Sequence, residues 1–331
     1  MKRPLVALVA LALAAPSHAQ DAPEPPTPAS IVAAAPAPDW RAIDPSDLLV
    51  MTLAPDRDGN PRQVVIQLMP PPFSQGWVGN VRTLAKAHWW DGTTVYRVVD
   101  NWVAQWGDGE DDEAKAKPLP DGLREVPESE YTFRGTVAEW IALLDFPMRA
   151  YQAKFNRPPP PPPFDKDEDL YAPRAGFASG WPVARQGGPD GSGFWPTHCY
   201  ASIGVARDTA TTGTGAELYA VIGHAPRQLD RNIAVVGRVI EGIEHLSTLP
   251  RGKGEAGVYD DARLRVPIVS VRLGDALSPA ERPRFEYLGS DSESFAKYVE
   301  IRANRNDAFY KVPAGGVDVC NVQVPIRRVQ G

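Results

Sequence analysis

Cysteine, histidine and clustered positive charge are all scarce in this sequence. It has two cysteines and five histidines, and no histidine lies in a recognisable nucleophile or zinc motif. This argues against a hydrolase, and we expect neither a metal nor a cofactor. Lysine and arginine do not form runs and the net charge is −6, so nucleic acid is not an expected partner.

Long apolar segments are also missing, and no stretch is long and apolar enough to cross a bilayer. Residues 1–19 have the layout of a cleavable signal peptide, with Lys2 and Arg3 followed by an apolar stretch over residues 5–15 and by small residues up to Ala19. Cleavage after Ala19 would give a periplasmic or secreted protein with no stable membrane span. A retained N-terminal anchor is the alternative.

The two cysteines would then lie in a compartment that permits disulfides. A bridge between Cys199 and Cys320 would tie the C-terminal tail to the main domain. Two unpaired buried thiols are the alternative, because sequence spacing alone does not set the distance between the two Cα atoms.

Proline, in contrast, is abundant, with 35 residues concentrated in a few places. The Ala/Pro-rich residues 20–43 are predicted to be a disordered tether. The proline run over residues 158–163 predicts an extended stiff spacer, or else a recognition motif. A capping-box sequence at Thr136 predicts the start of a helix.

Between these stretches the sequence favours many short strands and few helices. Helices are predicted over residues 79–89, 241–246 and 292–305. Strands are predicted over residues 48–53, 63–68, 94–98, 103–105, 198–206, 218–222, 233–239 and 266–273. With turn residues between them, this order favours a closed antiparallel β-barrel over a βαβ fold.

Three segments, in this order along the chain, resemble motifs of the cyclophilin family of peptidyl-prolyl cis–trans isomerases. After Gly-Asn-Val at 79–81, the stretch DGTTVYRVV at 91–99 resembles D-G-T-x-F-H-R-V-I. The stretch WVAQWGD at 102–108 resembles F-M-x-Q-G-G-D. Residues 215–242, which begin GAELY and end VGRVIEG, resemble G-S-Q-F-F and V-F-G-x-V-x-x-G.

The resemblance implies a bacterial, exported family member that is mainly β, with a closed eight-stranded antiparallel barrel capped by two helices. This domain would occupy residues 44–275, with a partly helical insertion at about 110–195, and residues 276–331 would be a C-terminal extension. The implied activity is isomerisation of X–Pro bonds in proline-containing polypeptide clients, which assists protein folding outside the cytoplasm.

Rotation about an X–Pro bond is opposed by a barrier of about 20 kcal/mol, because amide resonance must be broken. A catalyst needs an apolar recess for the proline ring and a fixed hydrogen-bond donor, without a nucleophile or metal. By resemblance, Arg97 is the catalytic residue that polarises the X–Pro amide. The implied substrate-binding residues are Trp102, Val103, Gln105, Ala206, Arg207, Glu217, Tyr219, Leu229 and Ile233.

The rim of this pocket departs from the family pattern. Glu217 replaces a glutamine, Arg207 a small polar residue, Gln228 a tryptophan and Ile233 a histidine. An ionised Glu217 accepts hydrogen bonds but cannot donate them, and it is a candidate partner of Arg97 or Arg207. The alternative hypothesis is therefore a non-catalytic binding module or chaperone on the same scaffold, with reduced isomerase activity as an intermediate case.

Overall fold

Strands dominate the computed structural model, which describes residues 25–110, 112, 114–135, 169–187, 192–307 and 309–329. The helices are α1 (Pro28–Ala34), α2 (Gln75–Lys86), α3 (Glu244–Ser247) and α4 (Glu293–Ala303). The strands are β1 (Trp40–Ala42), β2 (Leu48–Leu53), β3 (Arg62–Leu68), β4 (Thr94–Val98), β5 (Val103–Gly107), β6 (Phe133–Gly135), β7 (Arg174–Ala178), β8 (Trp181–Gln186), β9 (Ser192–Pro196), β10 (Ser202–Val205), β11 (Leu218–Val221), β12 (Val235–Glu241), β13 (Val266–Leu273), β14 (Phe285–Leu288) and β15 (Ile326–Arg328).

Eight of these strands form a closed antiparallel barrel, as the sequence predicted. Around the barrel the order is β10-β11-β5-β4-β13-β2-β3-β12, and β12 pairs with β10 to close it. Closure leaves no free edge in this sheet. The barrel interior is filled by apolar side chains from every strand, together with the aromatic rings of Trp90 and Trp106.

The strand β2 is apolar on both faces, because both faces are covered. Leu49, Met51 and Leu53 alternate into the barrel interior. On the opposite face Leu48 packs with Phe285 from outside the barrel. A strand that alternates apolar and polar residues would be expected only if one face met solvent.

The helix α2 packs on the barrel with one apolar face, which includes Trp77, Val81 and Leu84. The sequence predicted a helix over residues 79–89, and the structure begins it earlier, at Gln75. The helix also ends earlier than predicted, at Lys86, and His88 lies beyond its end in the left-handed region (φ +54°) and is exposed. None of the described helices is long and apolar enough to cross a membrane.

The prediction of a disordered tether over residues 20–43 is wrong for residues 28–42, whereas residues 1–24 lie outside the described part of the chain. Residues 28–34 form α1 and residues 40–42 form β1. The strand β1 pairs with β14, which pairs with β15, and α1 packs against α4. We call these five elements the terminal unit. Trp40, Leu288 and Phe295 lie in its apolar core.

The described part of the insertion contains four strands and a short 3-10 helix over Glu128–Tyr131. The strands β6, β9, β8 and β7 form a four-stranded antiparallel sheet in that order. Trp181, Val183 and Phe194 of this sheet belong to the same apolar core as the barrel interior. The helix predicted from Thr136 and the proline run at 158–163 lie outside the described residues.

Cys199 and Cys320 form a disulfide, with their Cα atoms 4.9 Å apart. Cys199 lies just before β10 of the barrel, and Cys320 lies in the terminal unit between α4 and β15. The bond closes a loop with a sequence separation of 121 residues. It therefore links the barrel covalently to the terminal unit.

Replacing Cys199 and Cys320 together by alanine should lower the free energy of unfolding by about 2–4 kcal/mol, because a long closed loop restricts the unfolded chain. Urea unfolding followed by tryptophan fluorescence measures this difference. Reduction of the wild type should shift the midpoint in the same direction. A midpoint that is unchanged by both treatments would contradict a structural role for the disulfide.

Candidate active site

A row of four residues crosses the outer face of the barrel. Arg97 on β4 is paired with Gln105 on β5, Gln105 with Tyr219 on β11, and Tyr219 with Gly204 on β10. Directly paired residues point to the same side of a sheet. A side chain at Gly204 would place its Cβ 2.2 Å from the Tyr219 ring, so glycine lets that ring lie across β10.

A β-bulge gives Arg97 its outward direction. Val95 pairs with Trp106, and both side chains lie in the barrel core. The register then shifts by one residue, so that Arg97 pairs with Gln105 and Val98 with Ala104. The extra residue is Tyr96. It turns the following arginine from the core to the outer face.

The guanidinium of Arg97 is held on two sides. Its Nη1 donates to Oε1 of Gln105 at 2.7 Å, and its Nε donates to the carbonyl of Ala256 at 2.7 Å. Its Cζ lies 5.4 Å from the ring centroid of Trp102. None of the described residues accepts a hydrogen bond from Nη2, which leaves one fixed donor available to a ligand.

Burial lowers the pKa of Arg97, and the neighbouring Tyr96 and Tyr219 act in the opposite direction. An arginine starts from so high a pKa that it remains charged at neutral pH. The site therefore presents a positive, partly desolvated donor.

An apolar cluster lies beside this donor, separate from the barrel core. Its buried members are Val103, Tyr219 and Val221, and its half-buried members are Val99, Trp102, Ala206, Leu229 and Ile233. Six of the residues that the resemblance assigned to the proline pocket therefore come together, namely Trp102, Val103, Ala206, Tyr219, Leu229 and Ile233. Val99 and Val221 were not identified from the sequence. The strand pattern could have indicated Val221, because it lies two residues after Tyr219 and so points to the same face of β11.

The sequence suggested that Glu217 pairs with Arg97 or Arg207, but in the structure its carboxylate has other partners. Its Oε2 accepts from the Tyr96 hydroxyl at 2.8 Å, and its Oε1 accepts from the backbone N–H of Asp108 at 2.8 Å. The Tyr96 hydroxyl in turn accepts from Nε2 of Gln105. Because the carboxylate can only accept, this chain of bonds directs Oε1 of Gln105 toward Arg97.

Arg207 is exposed, and its hydrogen bonds go to the backbone. It donates from Nε and Nη2 to the carbonyl of Asn232 at 3.1 and 3.0 Å, and from Nη1 to the carbonyl of Asp208 at 2.7 Å. These bonds join the loop after β10 to the turn that carries Ile233. The arginine thus supports the pocket loops from outside the apolar cluster.

Two residues next to the site were not found from the sequence. Tyr96 occupies the bulge, and its hydroxyl joins Gln105 to Glu217. His198 is fully buried, and its Nε2 lies 3.1 Å from the Tyr219 hydroxyl. Tyr96 lies within the motif at 91–99, but the resemblance assigned it no role, and no motif marks His198.

The comparisons with known proteins agree with this geometry. Residues 75–273 match the family described as cyclophilin type peptidyl-prolyl cis-trans isomerase/CLD. This stretch is more than half of the chain, so the chain belongs to the cyclophilin-type peptidyl-prolyl cis–trans isomerase family. It is an enzyme of that class, which acts on proline-containing substrates, as the sequence predicted.

Among solved structures, the chain is similar to cyclophilin AquaCyp293 from Hirschia baltica, with a TM-score of 0.61 and 21% sequence identity. The match covers 92% of this chain and 98% of that chain. At this level of identity the likeness establishes the fold. No curated protein matched the sequence.

Replacing Glu217 by glutamine should change how stability depends on pH. Burial raises the pKa of Glu217 above its ordinary value of 4.5, against the hydrogen bonds from Tyr96 and the backbone of Asp108. The folded protein thus binds this proton more tightly than the unfolded chain does. That contribution to stability is complete at low pH and is lost as the pH rises through the raised pKa.

As the pH rises from the ordinary pKa of 4.5 through the raised pKa of Glu217, the free energy of unfolding of the wild type should therefore fall relative to that of Glu217→Gln. Urea unfolding at several pH values gives the difference. Glu244→Gln, at an exposed position on α3, is the matched control and should show no such trend. A difference between wild type and Glu217→Gln that does not vary with pH would contradict the prediction.

Proposed function

We propose that this isomerase uses Arg97 as its catalytic residue and acts on exported clients as a folding enzyme. The observation that supports the role of Arg97 is its fixed guanidinium, which keeps Nη2 free of the described residues beside an apolar cluster. A proline ring requires such an apolar surface, and the twisted X–Pro amide requires such a donor.

In the twisted state, the nitrogen lone pair of the X–Pro bond no longer delocalises into the carbonyl, and the nitrogen becomes a better hydrogen-bond acceptor. A donor that bonds more strongly in this state than in the planar amide lowers the barrier. Arg97 would donate from Nη2, while the proline ring contacts Val103 and Tyr219. Gln105 fixes the direction of the guanidinium, so little reorganisation accompanies the rotation.

Export is supported by two features of the chain. Residues 1–19 have the basic, apolar and small-residue order of a signal peptide. The disulfide between Cys199 and Cys320 is of a kind that persists in oxidising compartments such as the periplasm. Clients would therefore be proline-containing polypeptides that fold outside the cytoplasm.

Replacing Arg97 by alanine should lower kcat/KM by about 100-fold, the usual loss when one transition-state donor is removed. Arg97→Lys should lose most of the activity as well, because an ammonium group cannot bond Gln105 and Ala256 and still present a third planar donor. A protease-coupled assay on a proline-containing peptide measures the rates.

Arg263→Ala is the matched control, since Arg263 is exposed and its partner among the described residues is Asp261, outside the site. It should isomerise the peptide at the wild-type rate. If Arg97→Ala did so too, the proposed mechanism would be abandoned in favour of another donor.

Expression of the full chain in a bacterial host should yield a mature protein that begins at Gln20 and is recovered from the periplasmic fraction. N-terminal sequencing of that fraction identifies the first residue. Recovery of the uncleaved chain in the membrane fraction would favour a retained anchor, and recovery in the cytoplasm would contradict export.

A further inference from the structure

A buried polar network lies directly behind the proposed proline pocket. His198 is bonded through Nε2 to the hydroxyl of Tyr219 at 3.1 Å and through Nδ1 to Oδ1 of Asp230 at 3.0 Å. The backbone N–H of His198 donates to the same carboxylate oxygen at 2.9 Å. The other oxygen of Asp230 accepts from Nε of Arg227 at 2.6 Å. The mechanism proposed above uses Tyr219 but not His198, Asp230 or Arg227.

The network continues into the insertion. Nη1 of Arg227 donates to Oδ2 of Asp169 at 3.0 Å, and the guanidinium lies 5.3 Å from the ring centroid of Tyr171. Burial alone would lower the pKa of Arg227, but the carboxylates of Asp230 and Asp169 outweigh it and raise the pKa. A charged arginine therefore joins the insertion to the residues behind the pocket.

The direction of the hydrogen bonds follows from the chemistry of the groups. The Asp230 carboxylate can only accept, so Nδ1 of His198 carries a proton, and Nε2 of a neutral ring accepts the proton of the Tyr219 hydroxyl. The two rings lie 19° from parallel, with their centroids 6.4 Å apart. Tilting the Tyr219 ring would break its bond to His198 in a place that water does not reach.

The same turn of the chain provides pocket contacts and holds His198. Leu229 and Ile233 are members of the apolar cluster, and Asp230 lies between them. The N–H of Ile233 donates to the carbonyl of Leu229 at 3.0 Å, which closes the turn. The position of Asp230 therefore affects both the pocket wall and the ring that orients Tyr219.

We propose that His198 is a positioning residue for the proline pocket, which acts through the hydroxyl of Tyr219, and that Asp169 of the insertion completes the network that holds it. This proposal rests on the proposed function of the pocket. It assigns part of the insertion a role in substrate binding at a distance from the substrate.

Two substitutions of His198 test its bond to Asp230 and its bond to Tyr219 separately. The amide of asparagine can replace Nδ1 and keep the bond to Asp230, but it does not reach Tyr219. The amide of glutamine can reach Tyr219 in place of Nε2. Loss of one buried hydrogen bond in His198→Asn should raise the Kd of a proline-containing peptide, and KM with it, about fivefold, with a smaller change in kcat.

His198→Gln should raise this Kd less than His198→Asn does. In a Tyr219→Phe background the two substitutions should have the same effect, because the hydroxyl through which His198 acts has been removed. Equal losses in both variants, or an unchanged difference in the Tyr219→Phe background, would overturn the proposal. Titration calorimetry measures Kd and does not require isomerase activity. An inactive wild type would therefore refute the proposed function without deciding the role of His198, which the Kd values test.

Asp169→Asn tests the contribution of the insertion. It removes one of the two carboxylates that hold Arg227 and should raise the Kd of the same peptide about twofold to fivefold. Asp121→Asn, at an exposed position elsewhere in the insertion, is the matched control and should leave Kd unchanged. If Asp169→Asn also left Kd unchanged, the role assigned to Asp169 would be refuted.

Discussion

The direction of the Arg97 side chain depends on one extra residue in β4. In regular pairing Arg97 would lie opposite Ala104 and would point into the barrel core, where a guanidinium would lack both water and a partner. The bulge at Tyr96 turns it outward, opposite Gln105. The hydroxyl of the bulged residue then joins Gln105 to Glu217. One irregularity in register thus determines the direction of the donor and the hydrogen bonds that fix it.

One face of β5 and β11 packs in the barrel core, and the other face carries residues of the candidate active site. Ala104, Trp106, Leu218 and Ala220 lie in the barrel interior, while the residues between them line the pocket or orient the arginine. Interior packing at close to crystal density leaves these strands little freedom to shift. The packing of the inner face therefore fixes the positions of the site residues on the outer face.

Much of the barrel could be predicted from sequence, because its strands are short apolar runs between turn residues. The strands over residues 94–98 and 266–273 have the predicted bounds. The terminal unit could not be predicted in the same way. Residues 28–42 have almost no apolar periodicity, and their order comes from pairing with β14 and packing on α4, which lie far away in the sequence.

The positions of residues within the family motifs identified the pocket residues, but they did not predict where every side chain points. Glu217 occupies a rim position in the family pattern, yet its carboxylate lies against Gly107, where a Cβ would come within 2.2 Å of it. Only the pairing of β11 with β5 brings these two residues together. His198 belongs to no motif, and its role depends on Asp230 and Tyr219, which are distant in sequence.

Because β1 pairs with β14, the terminal unit can fold only after most of the chain has been made. During synthesis the chain emerges from its N-terminal side, so Trp40 and its neighbours appear long before Leu288, their partner in the sheet. Until then the apolar residues of α1 and β1 remain without their native cover. The barrel strands have all emerged by Leu273, so the barrel and the site on its outer face can form before the terminal unit is complete.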